Sequence, residues 1–147
     1  MNLTESVFRW SRIPGIGRIF YLILKLLGVE FPRAVPVGTG LRLPHGAVGL
    51  VVHEQSVIGS NVSLYQGVTL GRSDQIEVKQ NADSGGVILE DDVAICAGAK
   101  ILFRSSETLV VSRGSIIGAN AVLTQSTGPN EIWAGVPARL VRTRQDA

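Results

Sequence analysis

Large aliphatic residues return at every sixth position over most of this chain. Val52, Ile58, Leu64 and Leu70 form one series, Leu89, Ile95 and Ile101 a second, and Val111, Ile117 and Leu123 a third, with Val37 and Leu43 leading in. An α-helix repeats at 3.6 residues and a strand at 2, so neither alone explains sixes. A β-sandwich would lose this phase at its larger turns. Internal repeats of this length instead predict an all-β fold, a parallel β-helix built from hexapeptide units. Three units make one coil of a prism, the large aliphatic points to its axis, and each coil stacks one strand spacing beyond the last. Small or β-branched residues four places on, at Val62, Val68, Val93, Ala99 and Ala121, fit the narrow layers. Seventeen glycines among 147 residues supply corners, above the usual level of roughly 7%. Aromatics are only 5%, so Val, Ile, Leu and Ala must fill the core.

Two stretches break the phase within the prism. Residues 72–86, polar and ending in Gly85 and Gly86, read as an extruded loop, and long loops in compact repeat folds tend to carry function. A smaller irregularity over 103–110 reads as a lengthened coil. The run from Trp133 to Arg139 departs from the repeat and is expected to cap the open end of the prism, whose edge otherwise invites pairing. Ahead of the repeats, Val7, Phe8, Ile13, Ile16, Ile19, Phe20, Ile23, Leu24 and Leu27 fall largely at spacings of three and four, divided by Pro14 and Gly15. This predicts a broken amphipathic helical arm. We expect it to pack on the prism or a neighbouring subunit; contact with a membrane surface, suggested by Arg9, Arg12, Arg18 and Lys25, is the lesser alternative. The expected organisation is an arm over 1–29, a β-helix over 30–142 and a tail over 143–147.

The net charge of +2 and the scattered basic residues argue against nucleic-acid binding. Cys96 is alone, so no internal disulfide forms, and its apolar surroundings suit a small hydrophobe better than a reactive thiol. No signal-peptide pattern precedes the arm, and the apolar run over 20–29 is too short to span a bilayer, so the expected location is cytoplasmic. No cluster of Cys, His or paired carboxylates suggests a metal. Only two histidines can serve as a general base near neutral pH, His45 and His53, both placed to face outward from the prism.

The run LPHGAVGLVVHEQSVIGSNVSLYQGVTLG over 43–71, followed by AGAKIL over 97–102, IGANAVL over 117–123 and AGVPAR over 134–139, resembles the serine O-acetyltransferase family of hexapeptide acyltransferases. The similarity covers roughly residues 30–142. It implies a left-handed prism, a homotrimer with each active site between adjacent prisms, and acetyl-CoA as co-substrate lying along the groove. The resemblance places the family's histidine base on His45 and its carboxylate partner on Glu30, a Glu where the family has Asp. His45 would take the proton of the acceptor hydroxyl and Glu30 would steady the imidazolium. A backbone N–H at or near Gly71 would hold the oxyanion. Main-chain contacts to CoA fall near Ala97, Gly98, Gly118 and Ala119, with Arg139 or Arg142 for its phosphates.

The departures from the family pattern bear on the acceptor. Members that acetylate serine carry Asp before the base and an Arg-His pair at the end of the extruded loop. This chain has Pro44, Gly85 and Gly86 there. Without those charges a free amino acid loses its evident partners, and a neutral sugar or glycan hydroxyl becomes the expected acceptor. In its short arm, too, the chain resembles relatives that modify polysaccharide sugars. The alternatives are serine itself, held by Arg42, Arg72 or backbone groups, and a non-catalytic scaffold.

Overall fold

A computed structural model of the chain describes residues 1–74 and 85–145. The six-residue period becomes a three-sided parallel prism. One side holds β1 (Val51–Val52), β4 (Thr69–Arg72), β7 (Lys100–Phe103) and β10 (Val122–Leu123) in that order. A second holds β2 (Val57–Ile58), β5 (Gly86–Leu89) and β8 (Thr108–Val111). The third runs β3 (Ser63–Leu64), β6 (Ala94–Ile95), β9 (Ile116–Ile117), β11 (Glu131–Ala134) and β12 (Arg139–Thr143). All neighbours are parallel except β11 and β12. Single bridges of Glu30 to Val51, Val37 to Ile58 and Arg42 to Ser63 add a first coil below them.

Register shows why the period is strict. Val52 lies beside Leu70, Leu70 beside Ile101 and Ile101 beside Leu123, while Leu64, Ile95, Ile117 and Trp133 form a second column. All are buried. A one-place slip would turn these aliphatics outward. The corners also stack. Gly49, Gly67, Gly98 and Asn120 all have positive φ, between 55° and 79°, and the Cα atoms of Gly67 and Gly98 lie 3.5 Å from where a Cβ on the glycine one coil below would stand.

Three boundaries differ from expectation. Arg72 and Gly86 are not loop residues: each closes or opens a strand, paired with Phe103 and Thr108 respectively. The loop is narrower at its base, and residues 75–84 lie outside the described residues. The repeat also does not stop at Trp133, whose ring completes the inward column. Closure comes instead from β12 folding back antiparallel on β11, which ends the parallel stacking.

The arm forms α1 (Leu3–Ser11) and α2 (Gly17–Leu26), separated by the turn containing Pro14 and Gly15. Asn2 and Glu5 make a reciprocal cap at the start of α1. Glu5 also accepts from the backbone N–H of Leu43 at 2.9 Å, and the Asn2 amide donates to the Leu43 carbonyl at 2.7 Å. These bonds dock α1 immediately before the turn that carries His45.

Candidate active site

His45 lies in a one-turn 3-10 helix, Pro44–Ala47, at the corner preceding β1. Pro44 opens the turn, and His45, Gly46 and Ala47 follow with φ of 54°, 71° and 49°. L residues other than glycine seldom adopt this region, so two of the three positions carry strain, held by the buried Ala47 and Leu43 on either side. The imidazole is exposed, and its ring centre lies 6.2 Å from that of Tyr65. Glu30 is also exposed; its N–H donates to Leu50 and its carbonyl accepts from Val52, both at 2.8 Å. Those bonds fix its backbone beside β1, in a shallow groove with Lys25, Gly28 and Val51. Among the described residues no hydrogen bond or ion pair engages the Glu30 carboxylate, and none joins it to His45.

His53 has a different setting at the far end of the same side. Its Nδ1 accepts from the backbone N–H of Gln55 at 3.2 Å, which leaves the proton of the neutral ring on Nε2. The ring meets Phe103 edge-on at 5.0 Å. Burial pushes its pKa below the ordinary value; Glu54 pulls upward and Arg72 pushes further down. Gly71 follows Leu70, the partner of Val52, so it sits at the His53 end of this side, away from the corner of His45. Within one chain the structure does not bring Gly71 to His45.

The nucleotide-contact candidates divide into two kinds. The N–H groups of Gly98 and Gly118 are used within the prism, donating to Gln66 at 2.9 Å and Trp133 at 2.8 Å. Ala97 and Ala119 precede Gly98 and Asn120 on adjacent coils of one corner, and their N–H groups have no hydrogen-bond partner among the described residues. Arg139 is exposed in β12, with Nη1 donating to the Ala138 carbonyl at 3.2 Å. Three further groups gather near this corner. Gln66 Oε1 is buried with no partner, Lys100 Nζ donates to the Gly67 carbonyl, and Tyr65 lies beside His45. Reading inward aliphatics misses them, because they occupy the outward and corner places of the same hexads. Cys96 is half-buried, and burial raises its thiol pKa.

The base of the loop is clamped. Asp74, itself buried, accepts from Arg72 Nε at 2.8 Å, from the Ser105 N–H at 3.0 Å and from the Ser105 hydroxyl at 3.0 Å. The bond from Arg72, followed by those from Ser105, lowers its pKa to about 2. At the other end of the loop there is no room for side chains: a Cβ on Gly86 would strike the Gln55 carbonyl, and one on Gly85 would stand 2.6 Å from the Glu107 carbonyl.

The prism has counterparts of known structure. Serine acetyltransferase from Brucella abortus in complex with coenzyme A superposes with a TM-score of 0.72 at 30% identity, over 95% of this chain and 55% of that one. The Neisseria gonorrhoeae serine acetyltransferase in complex with serine gives 0.72 at 29%, over the same shares. The chain is similar to serine acetyltransferases in both sequence and fold. The Staphylococcus epidermidis serine acetyltransferase is 36% identical over 140 residues, 95% of this chain and 61% of its own length. The chain thus spans about half to three-fifths of the length of the curated relatives it matches. No protein-family model matches it.

Proposed function

We propose that the chain is an acetyl-CoA-dependent O-acetyltransferase whose acceptor is the hydroxyl of serine. The observation that carries this reading is the 36% identity to a serine acetyltransferase along 95% of the chain, with His45 exposed on a fixed, strained turn inside the matching fold. His45 takes the proton from the serine Oγ as that oxygen attacks the thioester carbonyl. The tetrahedral intermediate then expels the CoA sulfur, and the imidazolium returns the proton to it. The Glu30 carboxylate, unengaged within the chain, stabilises the imidazolium. Ala97 and Ala119 offer N–H donors to the co-substrate along one corner, and Lys100 and Arg139 offer cations for its phosphates.

Because Gly71 and His45 occupy different ends of one side, the proposed site is completed by a neighbouring copy in a homotrimer of left-handed prisms. For the serine carboxylate, Arg42 is better placed than Arg72. The Arg42 guanidinium is exposed and, among the described residues, donates to Ser63 Oγ at 2.9 Å and the Asn61 carbonyl at 3.3 Å, whereas Arg72 is committed to Asp74.

One observation favours the sugar hydroxyl instead. Pro44 and the two crowded glycines, Gly85 and Gly86, leave no charged side chain at the places where serine-specific members carry them. The comparisons favour serine over that acceptor. Thiol release from acetyl-CoA, measured with serine, simple sugars and nucleotide-sugars, decides between them. Turnover with serine that vanishes in His45→Ala supports the proposal. Turnover with sugars alone replaces the acceptor, and no turnover together with no acetyl-CoA binding leaves a scaffold.

A further inference from the structure

The arm docks on the prism through one face and leaves the opposite face bare. Gly17 and Leu24 are buried on the inner side of α2. Ile19, Leu22 and Leu26, spaced three and four apart, form an outer ridge and are 63%, 56% and 87% exposed. The preceding turn exposes Ile13 and Ile16, and Trp10, packed on Phe20 with ring centres 5.1 Å apart, is also exposed. Isolated surface apolars need no explanation, but a continuous ridge does.

Positive charge predominates along this ridge, with Glu30 in the groove at the Lys25 end as the exception. Arg18 and Lys25, two helical turns apart, flank it on the same side and are exposed; Lys25 Nζ lies 5.4 Å from the centre of the Tyr21 ring. Residues 1–29 carry four Arg or Lys side chains against one carboxylate, Glu5, which is taken up by the cap and by Leu43. With a whole-chain charge of +2, the rest of the protein is net negative, so the positive charge is gathered on the arm. A second copy of the arm laid antiparallel on this ridge brings Arg18 toward the partner's Lys25, and within residues 1–29 the one carboxylate, Glu5, is already engaged. An anionic lipid surface offsets both and accepts the aliphatic ridge and Trp10 at its headgroup boundary.

We infer that the outer ridge of α2, with its flanking cations, is a docking surface for an anionic membrane, on which the helix lies flat. Among the described residues no helix is long and apolar enough to cross a bilayer, so the contact is peripheral and reversible. It is independent of the acetyl-transfer proposal.

Co-sedimentation of the full chain with vesicles of phosphatidylglycerol and phosphatidylcholine, beside vesicles of phosphatidylcholine alone, tests it. Binding is expected only to the anionic vesicles. It should fall by about tenfold or more in Arg18→Glu/Lys25→Glu and also in Ile19→Ser/Leu22→Ser/Leu26→Ser, whose exposed positions leave folding intact by circular dichroism. It should weaken between about 0.1 M and about 1 M salt, as the screening length falls from ~10 Å to ~3 Å. Equal binding to both vesicle types, no binding, or insensitivity to the serine substitutions overturns the inference. So does a wild-type assembly, seen by light scattering, that the serine variant breaks apart, because the ridge is then a contact between copies.

Discussion

His45 combines an exposed ring with a backbone that resists its own conformation. Left-handed φ at a non-glycine residue is a cost of about 1–3 kcal/mol, tolerated where surrounding structure holds it, and here Leu43 and Ala47 anchor both sides of the turn. Replacing His45 with Ala removes the proposed base and no buried contact. The expected result is a fall in kcat/KM of about 100- to 10,000-fold, with the unfolding midpoint nearly unchanged. A smaller loss is expected for Glu30→Gln, since that side chain only steadies the charged ring. His53 supplies the contrast. Its pKa is lowered chiefly by burial, so the folded state resists protonation more than the unfolded chain does. Its stability contribution is complete above the unfolded value of about 6.5 and declines as pH falls through it. Denaturant midpoints measured from pH 8 down to 5 should fall less steeply in His53→Gln than in the parent protein. If acetyl transfer is lost in that variant while it stays folded, and His45→Ala remains active, His53 and not His45 is the base.

Corners and clamps are where single elements decide stability. Gly67, with φ of 69°, sits between Gly49 and Gly98 in the corner column. Gly67→Ala forces a Cβ into the left-handed region at a cost of about 1–2 kcal/mol, readable as a lowered denaturant midpoint, and its Cβ meets the Gly98 Cα at ordinary contact distance. The clamp at the loop base is electrostatic. With the Asp74 carboxyl at about 2 in the folded chain and about 3.9 when unfolded, its contribution is fully present above the unfolded value and disappears as pH falls toward 2. Asp74→Asn should therefore unfold at lower denaturant at pH 7 and lose part of the acid-induced decline between pH 4 and pH 2. These elements differ in how far the sequence reveals them. Inward columns are legible because each aliphatic must repeat at the coil period or leave the core. Asp74 is not: Arg72 stands only two residues away, but Ser105, between β7 and β8, reaches the carboxylate only once the coils stack. Trp133 misleads for a related reason: its neighbours Gly135 and Pro137 read as a cap, while its own ring still fills the last layer of the column.

For the whole molecule, the proposed site turns on how far apart the prism holds the two ends of one side. The prism separates the His45 corner from the Gly71 and His53 end of the same side, and strand length fixes that separation. Family resemblance proposes Glu30 and His45 as a pair, and among the described residues of one chain no hydrogen bond or ion pair joins them. If the site is completed by a neighbour, activity must follow assembly. Light scattering should then give three times the mass of the 15.7 kDa chain, and activity per chain should fall on dilution in step with dissociation, because each separated prism keeps its histidine and loses the groove. The arm supplies a control. Since α1 is tied to Leu43 through Asn2 and Glu5, Glu5→Ala loosens the turn that presents His45 without touching the other end of the side. It should lower kcat while leaving the dilution midpoint in place. Activity that survives in a measured monomer would instead mean that one chain encloses the whole reaction, with His45 served by its own corner amides and Glu30 alone.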